Sequence, residues 1–220
     1  MSSALHLKVI GCDVFRRELY ALASTAPHTI DIEFLPEALH DVSVERMNLA
    51  LQSAIDRSGD GYDAILLAYG LCKNGVVGLA SRSVPLVVPR AQNCVDILMG
   101  NRYKYNKYTE DNPTAYFQTT GLIERGQKGQ DLIQICGRNG AFTKISFVDT
   151  GIESNGRWEE IALDKAVEKG WKFEKVKGEM GMLQRLLDGY WDHSEFLVVP
   201  PGSRIALSDQ EIVDSEKVFN

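Results

Sequence analysis

Cys12, Cys72 and Cys94 each stand just beyond a short apolar run, in "VIGCDVFRREL", "LLAYGLCKNG" and "LVVPRAQNCVDILMG". Each run has the length of a buried strand, and helix-forming residues follow. Cysteine thiolate is a ligand for zinc and for iron–sulfur clusters, and a helix N-terminus favours the thiolate that either requires. A fourth position of this kind falls to His40, in "FLPEALHDVS", after a run that Pro36 stops. Four strand ends thus deliver three thiols and one imidazole to one edge. The chemistry this suggests is a metal centre held by Cys12, Cys72 and Cys94, with the fourth position taken by His40 or open to substrate. The alternative for any one of these cysteines is packing as a small hydrophobe. Cys136, in "IQICGRNG", has no strand-end position and is assigned to the core.

Polar residues flank the same edge. Arg90 beside Cys94 is a candidate clamp for an anionic substrate group, its alternative being a surface ion pair. Arg90 and His40 are the two expected catalytic residues. Glu18, six positions after Cys12, would orient a ligand or pair with Arg17 or Arg90. The "VVPPGSR" turn reads as a wall over a cleft or as a plain stiff loop. His6, His28 and His193 are read as structural or solvated. The chain has no G-x-x-x-x-G-K-[ST] phosphate loop, no G-x-G-x-x-G after its first strand and no G-x-S-x-G elbow. Nucleotide binding is disfavoured accordingly.

The elements that must position these residues alternate. Strands are expected at 5–11, 29–36, 62–70 and 84–90, and helices at 13–24 and 43–56, with Ser43 as an N-cap. A short helix is read at 74–81 and another from Cys94. Strand alternating with helix implies a parallel sheet with right-handed crossovers, whose ligands bind beyond the carboxyl ends of the strands. Further on, 114–120, 143–150, 171–178 and 195–202 read as strands. Residues 156–170 form a helix with Gly170 as its cap, and 180–189 a shorter one. The last thirteen residues, "SDQEIVDSEKVFN", read as a helix or a surface tail. The expected fold is α/β with two lobes. An N-terminal parallel sheet with Rossmann-like alternation (1–110) carries the cysteines, and 111–220 forms a smaller C-terminal α/β half.

The 220 residues, 44% hydrophobic and 25% charged, supply a substantial core. A net charge of −6 disfavours nucleic acid and anionic membranes as partners. The basic stretch "NRYKYNKY" is soon balanced by Glu110 and Asp111, and reads as a partly solvated helix end or loop. No segment reaches the roughly 18 apolar residues of a membrane span. The N-terminus lacks signal-peptide character. Four cysteines make no disulfide framework, which points to a reducing cytoplasm.

Taken together, "GC-x5-EL", "LPxxLHD", "YDAILLAYGLCKNG", "PLVVPRAxxC" and "FLVVPPGxRI" resemble an uncharacterised domain-of-unknown-function family of methanogenic and methylotrophic microbes. Its members often stand in genomic company with corrinoid-dependent methyltransferases, and the resemblance covers nearly the whole chain. It implies that Cys12, His40, Cys72, Arg90 and Cys94 fall on family motif positions. Members commonly read "PRAHDC" where this chain reads "PRAQNC", so Gln92 and Asn93 stand in place of a histidine and an acid.

Residues and resemblance lead to one expectation and one alternative. The expectation is a metal-thiolate enzyme tied to one-carbon or methyl metabolism. Its three cysteines hold an iron–sulfur cluster with an open iron, or zinc, and it acts on a small sulfur- or methyl-bearing molecule. The alternative is a non-catalytic metal- or corrinoid-related carrier serving corrinoid methyltransferase components. An unmetallated cysteine nucleophile with His40 as base leaves two of the thiols without a role.

Overall fold

The structure is a computed structural model that describes residues 3–35, 43–72, 74–127, 142–153, 155–207 and 213–217. Three apolar runs become the parallel centre of the first sheet: β1 (His6–Gly11), β3 (Ala64–Ala68) and β4 (Leu86–Pro89). Leu7, Val9, Ile10, Ile65, Leu66, Leu67, Val87 and Val88 are all buried there. Unbroken burial of this kind is what a strand covered on both faces requires. β2 (Thr29–Phe34) lies parallel outside β1 and is only half-buried, as an edge strand is. The order is β2-β1-β3-β4 and then β8 (Phe196–Val199), which closes the far edge antiparallel to β4.

The chain leaves β1 for β2 in one direction and returns past β1 to β3. Right-handed crossovers therefore put α1 (Arg16–Ala23) and α2 (Val44–Ser58) on opposite faces. In α2, Met47, Leu51, Ala54 and Ile55 form the buried stripe, and the Ser43 side chain accepts a hydrogen bond from the Arg46 amide. On the α1 side, α7 (Gly181–Leu187) packs on β3 and β4 with Met182, Leu183, Leu186 and Leu187 inward. Two further helices, α3 (Cys94–Leu98) and α4 (Arg102–Asp111), follow β4.

A second parallel sheet has the order β5 (Ala115–Gln118), β6 (Lys144–Asp149), β7 (Lys172–Lys177). α5 (Thr120–Gln127) follows β5, and α6 (Arg157–Lys169) joins β6 to β7. Trp158, Ala162 and Ala166 of α6 are buried with Tyr116, Ile145 and Phe147. Gly170 ends α6 at φ 66°, a left-handed conformation that glycine adopts at little steric cost. An antiparallel pair, β9 (Ser203–Leu207) and β10 (Val213–Lys217), completes the described chain. No described helix is long and apolar enough to cross a membrane.

The α/β class and the mostly parallel N-terminal sheet are as the sequence implies. Other expectations are corrected. Residues 74–81 form turns instead of a helix, because Asn74 and Gly78 take positive φ and Ala80 bridges to Arg204. The basic stretch from Arg102 is a full helix, and part of the C-terminal tail is a strand. α5 and β9 had no counterpart in the sequence reading. From the second half of the sequence, β8 pairs in the first sheet and α7 packs on it. The "VVPPGSR" turn lies away from the cysteines, which agrees with the plain stiff loop of its two readings. Val199 pairs with Leu86 at the start of β4, so the turn sits at the opposite edge, where Ser81 Oγ donates to Pro200 and Ser203 carbonyls. His40 and Cys136 lie outside the described residues.

Candidate functional site

Three loops leave the carboxyl ends of β1, β3 and β4, and backbone hydrogen bonds stitch them together. Cys12, directly after β1, donates its amide to the Ala68 carbonyl at the end of β3 (3.2 Å). Beyond β3, the amides of Leu71 and Cys72 donate to the carbonyls of Ala91 (2.8 Å) and Gln92 (3.0 Å) beyond β4. Gly70 permits this approach, since a Cβ there would lie 2.6 Å from the Asn93 nitrogen. Cys72 and Asn74 take left-handed φ of 44° and 68° as the loop turns back. The edge therefore carries one cysteine from each of three neighbouring strands. Cys12 and Cys94 are buried and Cys72 is half-buried.

Each loop has a local reason for its shape. Asn93 caps α3, its side-chain oxygen accepting from the amides of Val95 (3.0 Å) and Asp96 (3.1 Å). Its Nδ2 donates to the Tyr105 hydroxyl (2.8 Å), fixing α4 against the same loop. Asp96 is fully buried, and one carboxylate oxygen accepts from the Gln92 amide (2.7 Å). Its other oxygen has no partner among the described residues, and burial raises its pKa to about 6. Gln92 and Asn93 thus act here through backbone and cap.

The second sheet brings its own carboxyl edge to this one. α5 begins where β5 ends, and Gly121 abuts the Val14 carbonyl in the 3-10 turn Asp13–Phe15 that follows Cys12. Arg17 donates to both oxygens of Glu124 and to Glu153, and Thr150 Oγ1 donates to Glu18 (3.1 Å). Glu18 is buried, and desolvation raises its pKa. Arg125, from α5, is only 1% exposed and its charge acts on Cys12 and Tyr69. Burial pushes the Cys12 thiol up to about 11, against the pull of the Val14 backbone and of Arg125. Desolvation likewise keeps the Tyr69 phenol protonated.

The residues named from sequence are therefore distributed as follows. Cys12, Cys72 and Cys94 share one edge, as does Arg90, directly after β4. Arg90 Nε donates to the His193 carbonyl (2.8 Å), and its amide to Glu195, anchoring the segment that enters β8. Glu18 faces Thr150 of the other sheet. Among the described residues, no three of His, Cys, Asp and Glu are drawn up as ligands for a metal ion. Arg125, Asp96 and Gln118, whose Oε1 has no partner among the described residues, escaped the sequence reading. For Arg125, the signal was its place one turn after "QTTG", a strand end running into a helix start.

No curated protein and no solved structure matches the chain. A family model described as "Protein of unknown function (DUF1638)" matches residues 34–187, well over half of the sequence and including two of the three edge cysteines. The chain belongs to the DUF1638 family of proteins of unknown function.

Proposed function

We propose that the chain is a metal-thiolate enzyme in which Cys12, Cys72 and Cys94 hold an iron–sulfur cluster or zinc at the meeting of its two parallel sheets. One observation carries the reading: three loops, hydrogen-bonded backbone to backbone, each present a cysteine at the same carboxyl edge. The donor set fits either group in kind, because thiolates are what clusters and structural or catalytic zinc bind. Such a centre supplies an open metal position for a substrate heteroatom. The protein's share is then electrostatic. Arg125 offers a buried positive charge beside Cys12, and Arg90 stands at the rim of the same edge. Tyr69 and Glu18 are buried nearby, so water is largely excluded and those charges are little screened. Resemblance to the methanogen and methylotroph family supports a small sulfur- or methyl-bearing substrate and a link to corrinoid methyltransferase components.

A second reading is favoured by the side-chain arrangement. Since no three ligands are drawn together among the described residues, the enzyme reading requires the thiols to turn toward one point on loading. A carrier that binds its cargo between the sheets needs no such rearrangement.

The test is anaerobic purification with iron, zinc, cobalt and acid-labile sulfide counted per chain, for the native protein and for Cys12→Ala, Cys72→Ala and Cys94→Ala. Iron with sulfide, lost in all three variants, is the expected outcome for a cluster, and zinc lost likewise is the outcome for the second metal. Cobalt retained in the variants selects the carrier. Freshly purified protein without metal, with all variants folded, overturns the site.

A further inference from the structure

The described chain passes from the first sheet to the second once and returns once, and the two passages lie side by side. The outward one runs from α3 through Gly100 (φ 89°) into α4, and the return runs from β7 through Gly178 and Glu179 into α7. The Glu179 amide donates to the Leu98 carbonyl (2.7 Å), Lys104 pairs with Glu179, and a Cβ on Gly100 would stand 3.0 Å from that of Glu179. We propose that these two passages are a hinge about which the second sheet, with α4, α5 and α6, swings to open the edge at Cys12, and that Arg17 is the latch of the closed form. The motion stands whether or not the thiols hold a metal; its use, admission of a small molecule to the edge, rests on the metal-thiolate reading.

The passages have the make-up of an axis. Each is short and contains a glycine, and hinges are a few such residues at element ends. α4 belongs with the moving part, because the Tyr108 hydroxyl lies 2.8 Å from Ser146 Oγ and donates to Glu174 (2.8 Å). Three apolar side chains that tie the second sheet to the first sheet's core lie beside the passages. Tyr105 is one turn into α4, the Phe117 ring is 6.0 Å from it, and Val148 Cγ1 is 3.0 Å from where a Gly178 Cβ would stand. Groups near an axis move little, so a swing keeps these contacts.

The far side is built differently. Leu122 joins the first core there, and the other links are the Gly121–Val14 backbone contact and polar bonds. Arg17 of α1 donates to both oxygens of Glu124 and to Glu153, and its guanidinium lies over the Trp158 ring, 5.6 Å from the centroid. One side chain of the first sheet's helix thus engages three residues of the other part, with Thr150 to Glu18 as a further bond. The Arg17 and Glu124 side chains are 37% and 30% exposed, so water replaces their bonds as they part. Separation there costs less than parting an apolar interface of the same size. Between hinge and latch the edge is sealed, with Cys12 and Glu18 each 2% exposed and Arg125 1%. Gly121 and Arg125 both belong to α5, so withdrawal of this helix uncovers Cys12.

The test is iodoacetamide labelling of Cys12 in the metal-free full chain at pH 8, read by peptide mapping; the metal counts that decide the metal-thiolate reading do not enter these rates. Arg17→Ala is expected to label at least about tenfold faster than the native protein. Arg82→Ala, which loses the bonds to Asp56 away from the edge, is expected to keep the native rate. Urea below the unfolding transition is expected to raise labelling less steeply than it raises global unfolding, because a swing exposes only part of the buried surface. Should Arg17→Ala lose its cooperative thermal transition, Glu153→Gln decides, with a rise of about threefold expected; Glu153 lies outside both cores. Unchanged labelling in the folded latch variants overturns the hinge. So does an equal rise in Arg82→Ala, or a urea dependence as steep as that of global unfolding.

Discussion

Gly121 lies so close to Val14 that a Cβ on the glycine would stand 2.0 Å from the valine carbonyl oxygen. Gly121 is the second residue of α5, and Val14 belongs to the turn after β1, so this close approach, beside the Arg17–Glu124 and Thr150–Glu18 pairs, brings the carboxyl edges of the two parallel sheets together. The obstacle is backbone, which cannot swing aside as a flexible side chain does. Arg125 reaches the surroundings of Cys12 from the same helix, and its placement depends on that approach.

Gly121→Ala is accordingly expected to destabilise the protein by about 1–3 kcal/mol, the usual range for overpacking, despite the better helix propensity of alanine. Gly61→Ala is the control, since nothing lies within 4 Å of a Cβ there. It is expected to be neutral or mildly stabilising, within about 1 kcal/mol. Urea unfolding of the two variants beside the native protein measures both. Equal midpoints for all three would mean that the sheets are not held by this contact.

Asp96 leads to a pH dependence. Burial raises its pKa from the ordinary 3.8 to about 6. The folded state therefore keeps its proton through a window in which the unfolded chain has released it. Stability from this group is fully present below about pH 4, falls as pH rises, and levels off above about 6. The drop is on the order of 3 kcal/mol. Asp96→Asn removes the titration, so the stability difference between native and variant protein should shift toward the variant between pH 4 and 6 and stay constant above. A difference that is flat across that range would show that Asp96 ionises normally and is not desolvated.

How much of this was legible beforehand depends on what each residue is asked to do. The runs that became β1, β3 and β4 are apolar on both faces, and Trp158, Ala162 and Ala166 keep a helical period that Gly170 ends; such patterns are local. α4 escaped because only Tyr105 and Thr109 are buried along its length, leaving no stripe to read. It is held by contacts distant in sequence, Tyr105 to Asn93 and Tyr108 to Ser146 and Glu174. The antiparallel entry of β8 beside β4 joins residues more than a hundred apart, and nothing in "FLVV" announces its partner or direction. At the site, the positions of the three cysteines followed from strand ends. The buried charge of Arg125 did not, because its burial is a property of where α5 docks. Nor did the orientation of the thiols, which strand topology leaves undetermined.

Thiol reactivity tests that orientation directly. Cys12 is buried, and with a pKa of about 11 only roughly one thiol in a thousand is ionised at pH 8. Cys94 is buried at the start of α3, while Cys72 is half-buried on a loop with left-handed backbone. In metal-free protein at pH 8, iodoacetamide is expected to modify Cys72 at least about tenfold faster than Cys12 or Cys94, with peptide mapping to separate the sites. Cys12 labelling as fast as Cys72 in folded protein would mean that its thiol opens to solvent or is more ionised than its burial implies. Loading with iron and sulfide, or with zinc, is expected to slow Cys72 to the rate of the other two, because a coordinated thiolate is no longer the free nucleophile. Unchanged labelling of Cys72 in metal-loaded protein would remove it from the ligand set, and with it the common edge on which the metal-thiolate reading stands.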